Sequence, residues 1–309
     1  MPLKPVMPKN YFFRIFMPLL IYWGITLLVQ FVIAMIYSII VIMPSVLQQM
    51  TEVTEFTNAM YQAMLQDVMT KSTEFISAYI LHMTVLSGLA TLLYTILAYR
   101  KDRKHEVGKV TEGVPGNFLL FEAKQPPYHQ YIWVLLLGLV LCYGLNGILL
   151  MVQLAFPHLA VDGMSKLIAS TPFWLQVVGI GLVAPISEEM LFRGILFRRY
   201  RERYPYITAT ILTSVIFGLM HGSTLQFLYA FVMGLFLCYI YEVYGTMKAP
   251  IALHIVINLF SVFATHNAFF SLPFSSFPAL AITVVLCALI GSSTIVMLMF
   301  RKKDSTIVT

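Results

Sequence analysis

Apolar runs of about 20 residues, enough for a helix to cross about 30 Å of hydrocarbon, recur along the whole chain. They predict spans near 11–44, 76–99, 130–156, 173–197, 206–222, 224–243, 249–268 and 277–300. Between the first two, QQMTEVTEFTNAMYQAMLQDVMTKSTEF alternates apolar and polar positions at helical spacing and carries Glu52, Glu55 and Asp67. That pattern predicts an outer helix lying on, or extending, its neighbours. The stretch 105–128, with EGVPG and QPP, reads as a linker. It divides the chain into residues 1–125, a two-span extension with an outer amphipathic segment and a cytosolic linker, and residues 126–309, a six-span unit. The expected fold class is therefore all-α: a polytopic integral membrane helical bundle of about eight transmembrane helices.

Composition agrees. The chain is 59% hydrophobic and 11% charged, whereas soluble domains are about 25% charged, so the bilayer is the expected partner. Of the 20 Lys and Arg, only Lys71 and Lys166 fall on the side opposite the N-terminus, and Arg193 lies within a span. The bias places both termini in the cytoplasm, with a bacterial plasma membrane as the expected location. The net charge of +6 is thus an orientation signal. No basic and aromatic interleaving of the kind that binds single strands is present, so no nucleic-acid partner is expected. The first span is too long for a signal-peptide core and no small-residue cleavage pattern follows it. Cys142, Cys238 and Cys287 lie inside apolar runs without CxxC spacing and read as core.

Ionisable groups within spans are costly, about 2.5 to 3.5 kcal/mol each on insertion scales, and therefore mark candidate sites. In PISEEMLFRGILFRRY, Glu189 and Arg193 are four apart, about 40 degrees round a helix, and can pair on one face. Glu188 lies about 100 degrees from Glu189, which leaves it over for chemistry. In FGLMHGS, His221 follows Phe217 by four, and Gly218 and Gly222 form a GxxxG whose plain reading is close helix packing. In APIALHIVINLF, His254 and Asn258 also project together. A lone intramembrane His is ordinarily a satisfied core residue; two His, an Asn and a Glu pair on three spans avoid desolvation only by meeting in one polar cavity.

Such a set suits water activation. Glu or His can take a proton from water, while Asn and a second His donate to an oxyanion. Two imidazoles and a carboxylate are equally the ligands of a catalytic zinc with water in the open position. Both mechanisms stay open, with Glu188, His221 and His254 as candidate metal ligands and Zn²⁺ as a candidate cofactor. Other intramembrane chemistries are not matched: HEVGK at His105 has Lys109 where HExxH needs its second His, Gly181 is followed by Leu182 rather than Asp, and GSSTIV at Gly291 is no GxSG nucleophile.

Taken in order on three successive hydrophobic segments, EEMLFR (EExxxR), FGLMH (FxxxH) and HIVIN (HxxxN) resemble the motifs of the CPBP family, also called Abi, which contains CAAX prenyl proteases of the Ras-converting type and bacteriocin-processing or self-immunity proteins. The resemblance covers about 173–262. It implies a multi-spanning α-helical endopeptidase, of metallo- or glutamate type, acting on a peptide or protein substrate that is membrane-associated and, in the CAAX case, lipidated. By motif, Glu188 resembles the catalytic glutamate, His221 the histidine that helps it hold water, and His254 with Asn258 the oxyanion pair. Glu189, Arg193 and Phe217 look like supporting residues. The rival readings are a proton-coupled transporter with a Glu188, Glu189 and Arg193 relay, and a non-catalytic immunity protein that binds a peptide toxin.

Depth adds one expectation. At 1.5 Å per residue, Glu188 lies about 15 Å from Arg198 and His221 about 22 Å from Tyr206. Helix 206–222 must therefore begin late, tilt or stop short, and an HGST turn at membrane depth must line protein or a water cavity.

Overall fold

The computed structural model describes residues 10–51, 57–111, 126–159 and 171–307. Its long helices are α1 Tyr11–Thr51, α2 Asn58–Thr111, α3 Tyr128–Ala155, α4 Phe173–Arg201, α5 Tyr206–Leu219, α6 Thr224–Tyr244, α7 Lys248–His266 and α8 Phe277–Ile307, and no strand occurs among the described residues. Seven are long and apolar enough to cross a membrane; α5, with 14 residues, is shorter. The protein is a multi-pass all-α membrane protein.

Of the two arrangements expected for the outer amphipathic segment, the structure shows the extension: from Asn58 it is the first part of α2, where Asp67 holds Lys71 at 2.7 Å and accepts from Gln49 of α1 at 2.9 Å. One boundary differs from the sequence expectation. At its other end α2 runs on through HEVGK to Thr111, because that polar stretch contains only helix-tolerant residues and a single glycine, Gly108, with no proline before Pro115. Glu52, Glu55, the EGVPG turn, Lys4, Lys9, Lys124 and Lys166 lie outside the described residues.

Polar side chains tie the helix ends together at one face of the bundle. Arg14 of α1 pairs with Glu202, Arg199 of α4 donates to Asp102 of α2 at 2.8 Å, and the Tyr244 hydroxyl of α6 donates to the Gln130 carbonyl at 2.8 Å. The start of α1 and the ends of α2 and α4 therefore lie together, as alternating spans require. Arg198, the first residue past the expected span 173–197, is 2% exposed and donates to Tyr241 at 2.8 Å.

Helix α4 sits at the centre, and small residues let its neighbours approach. A Cβ on Gly181 would lie 2.4 Å from Leu259 of α7, one on Gly179 3.0 Å from Val85 of α2, and one on Gly88 of α2 2.7 Å from Val183. The first helix pair thus packs directly on the helix that carries the EExxxR motif.

Candidate active site

Helix α4 is not regular. Wide π turns at Val177–Val183 and Met190–Phe197 flank a short α segment, Ala184–Glu189, that presents the two glutamates; such wide turns recur at functional sites. Their origin is partly covalent. In the wide register the N–H of Ala184 bonds the carbonyl of Gly179, so the next donor would belong to residue 185. That residue is Pro185, which has no N–H, and the Ile180 carbonyl is left over. Asn258 of α7 supplies the missing donor, its Nδ2 lying 2.9 Å from Ile180 O. One amide hydrogen of Asn258 is thereby engaged, and the second is available.

The glutamates separate as the wheel geometry requires. Glu189 is fully buried, and Arg193 Nη1 donates to its Oε1 at 2.8 Å. Arg193, itself 0% exposed, also donates to the Gly234 carbonyl of α6 at 3.2 Å and lies 4.6 Å from the centre of the Phe217 ring. Glu188 keeps a quarter of its side chain exposed. The charge with no tight partner is therefore the accessible one.

His254 connects the two carboxylates. Its Nδ1 lies 2.9 Å from Glu189 Oε1, and its Nε2 is 3.9 Å from Glu188 Oε2. A carboxylate only accepts, so Nδ1 carries the proton it donates, and Nε2 is left facing Glu188. The remaining 3.9 Å is too long for a direct hydrogen bond.

His221 is placed by the end of α5. That helix stops at Leu219, about 21 Å from its start at 1.5 Å per residue, and so it stops short, as its length requires. His221 therefore sits in the turn, not on a helix. Its Nδ1 lies 2.7 Å from the Phe217 carbonyl, one of the orphan acceptors at a helix C-terminus. A carbonyl accepts only, so Nδ1 carries the proton it donates, and Nε2 is left outside this contact. Gly222 follows at φ 76°, a conformation that disfavours any side chain, and Ser223 caps α6 by accepting from Gln226 N at 3.2 Å. The HGS sequence is thus a cap, a left-handed turn and a cap. The GxxxG reading holds for one glycine only: a Cβ on Gly218 would lie 2.9 Å from the Phe227 carbonyl, whereas Gly222 has open space and serves the turn.

Phe217 packs against both histidines. Its buried ring meets His221 at 4.7 Å and His254 at 5.9 Å, both edge-on, with Arg193 against the ring. The seven residues singled out from the sequence thus gather where α4, α5 and α7 meet, with the Phe217 ring against both histidines. Among the described residues no three His, Cys, Asp or Glu side chains converge as a metal set.

A hydroxyl chain was not legible from the motifs. Ser187, immediately before Glu188, shares a buried 2.9 Å hydrogen bond with Thr91 of α2 and lies 3.3 Å from the Tyr22 hydroxyl of α1. The first helix pair therefore reaches the site's edge. No sequence signal marks Tyr22 or Thr91 beyond their being hydroxyls within apolar runs.

Residues 170–260 match the family model described as Type II CAAX prenyl endopeptidase Rce1-like, the same stretch that carries the three motifs. The chain is 32% identical over 88 residues to the protein named "Putative membrane peptidase YdiL" of Bacillus subtilis (strain 168), a match covering 28% of this chain and 36% of that protein. It is 29% identical over 110 residues to UPF0177 protein YbdJ of Lactococcus lactis subsp. lactis (strain IL1403), covering 35% of this chain and 47% of that protein. The chain thus spans less than half the length of either relative. No solved structure matches it.

Proposed function

From the match of residues 170–260 to the Rce1-like CAAX prenyl endopeptidase model, we propose that this protein is an intramembrane endopeptidase that hydrolyses a peptide bond of a membrane-associated substrate with water activated by Glu188 and His221. The observation that carries the reading is the division of labour between the glutamates. Glu189 is neutralised by Arg193 and orients His254, while the partly exposed Glu188 lies across from His254 Nε2. The Nε2 of His221, left over when Nδ1 bonds the Phe217 carbonyl, supports the same reading.

In the proposed reaction Glu188, helped by His221 Nε2, takes a proton from water, and the hydroxide adds to the scissile carbonyl carbon. The carbonyl oxygen becomes an oxyanion. Asn258 offers it the amide hydrogen not given to Ile180, and His254 offers Nε2–H when doubly protonated. In that state, with Glu188 protonated, the Glu189 carboxylate and the oxyanion balance the Arg193 guanidinium and the His254 imidazolium, which limits the cost of the buried charges. Collapse of the intermediate breaks the C–N bond, and the proton held by Glu188 passes to the leaving amine. General acid and base work of this kind contributes about 10² to 10⁴ in rate, and each oxyanion donor about 10² to 10³.

A relay for transport would use the same carboxylates, but the tight neutral pair of Glu189 and Arg193 favours a fixed positioning role. The test starts from neo-termini in membrane proteomes with and without the protein, followed by cleavage of the peptide so found. Glu188→Ala and His254→Ala should each lose cleavage, and full activity in either removes that residue from the mechanism. Elemental analysis of the active protein with a chelator control separates water activated by Glu188 from water activated by zinc.

A further inference from the structure

A cavity of about 920 Å³ opens away from the site, at the end of the bundle where α1, α2 and α4 meet. Its volume falls in the range of built small-molecule sites, about 300 to 1,000 Å³. Its walls are apolar, with Met17 and Ile21 from α1 and Leu97 from α2. Its rim is basic. Arg14 and Arg199 stand there but are already matched, by Glu202 and Asp102. Lys101 and Lys104 also line the cavity, are exposed, and pair with no carboxylate among the described residues. A slot with hydrocarbon walls and two uncompensated cations at the mouth, set where spans leave the membrane, is complementary to a molecule with an alkyl chain and a fixed negative charge.

We infer that this slot binds an anionic phospholipid of the adjacent leaflet, with an acyl chain between α1 and α2 and the phosphate on Lys101 and Lys104. The charge argues for the phospholipid over a neutral lipid, because an uncharged headgroup leaves both ammonium groups as they are. The walls argue for it over a free phosphate, because the ion alone would leave the slot unfilled. The position gives the lipid a consequence. Ile21 adjoins Tyr22, and Tyr94, also on the cavity wall, is three residues from Thr91, so the chain end lies beside the hydroxyls that hold Ser187. The inference is independent of the proposed catalysis.

The test is native mass spectrometry of the full chain released from nanodiscs of phosphatidylglycerol and phosphatidylcholine in equal amounts. The wild type should retain phosphatidylglycerol preferentially. Each lysine near a membrane surface contributes about fivefold, so Lys101→Gln with Lys104→Gln should reduce that preference about thirtyfold. Leu97→Trp, which fills the slot and keeps both lysines, should abolish retention, and it decides the matter if the double variant fails to fold. Equal retention of the two lipids by the wild type overturns the inference. So does a preference within twofold of wild type in the folded double variant, or retention undiminished in Leu97→Trp.

Discussion

Replacing Glu189 and Arg193 together should harm the fold far less than replacing either alone. Both side chains are fully buried and joined at 2.8 Å. Arg193→Met strands a buried carboxylate and Glu189→Leu strands a buried guanidinium, and removing one partner of such a pair costs about 3 to 5 kcal/mol. The pair itself is imperfect. Glu189 Oε2 and Arg193 Nε are buried with no hydrogen-bond partner, and each such group costs about 1 to 3 kcal/mol. Glu189→Leu with Arg193→Met removes both charges and both orphans, leaving His254 Nδ1 as the one donor deprived of its acceptor, at about 1 to 3 kcal/mol. Coupling between the two positions should therefore be at least about 3 kcal/mol. The assay is reversible unfolding of the four proteins in mixed micelles, read by circular dichroism. The double variant should be inactive, since His254 has lost the carboxylate that orients it. Additivity within about 0.5 kcal/mol, or a double variant no more stable than the weaker single, would refute the argument.

Three further outcomes follow from the geometry. Asn258→Leu should destabilise by about 1 to 3 kcal/mol by abandoning the Ile180 carbonyl, and by clearly less in a Pro185→Ala background, where the backbone regains a donor; equal losses in both backgrounds would show that the proline does not create the need. Glu188→Gln should leave unfolding within about 0.5 kcal/mol of wild type, because this partly exposed carboxylate has no tight partner, while cleavage falls at least about a hundredfold. Gly222→Ala should lower stability by about 1 to 2 kcal/mol through its φ of 76°; Gly218→Ala should do so by pushing α5 off the ring and carbonyl of Phe227, and only this second change should be relieved in part by Phe227→Ala, which removes the ring.

Much of the scaffold was legible because membrane helices are set by length and apolarity alone. The eight apolar helices, seven of them long enough to cross a membrane, the pairing of Glu189 with Arg193 and the shared face of His254 and Asn258 all follow from periodicity. What periodicity does not carry is the partner across a helix boundary. The wheel places Glu189 beside Arg193, but that His254 takes the same carboxylate oxygen depends on α7 approaching α4, which rests on Gly181 against Leu259. Likewise the end of α5 at Leu219 is decided by His221 capping Phe217 and by the turn at Gly222, whereas the apolar run continues to Met220.

The residues outside the motifs were hardest to read, and the reason is physical. Ser187 is 96 positions from Thr91 and 165 from Tyr22, and each is a hydroxyl that a helix can satisfy on its own backbone. Thr91 does so in part, donating to the Gly88 carbonyl at 3.0 Å. A side chain with a local alternative leaves no deficit in the sequence to reveal a distant partner. Glu188, Glu189 and Arg193 have no such local alternative, so their burial demands explanation from the sequence onward. Intramembrane charges can therefore be found by reading one chain, but the hydroxyls that steady them emerge only when the first two helices are packed against the fourth.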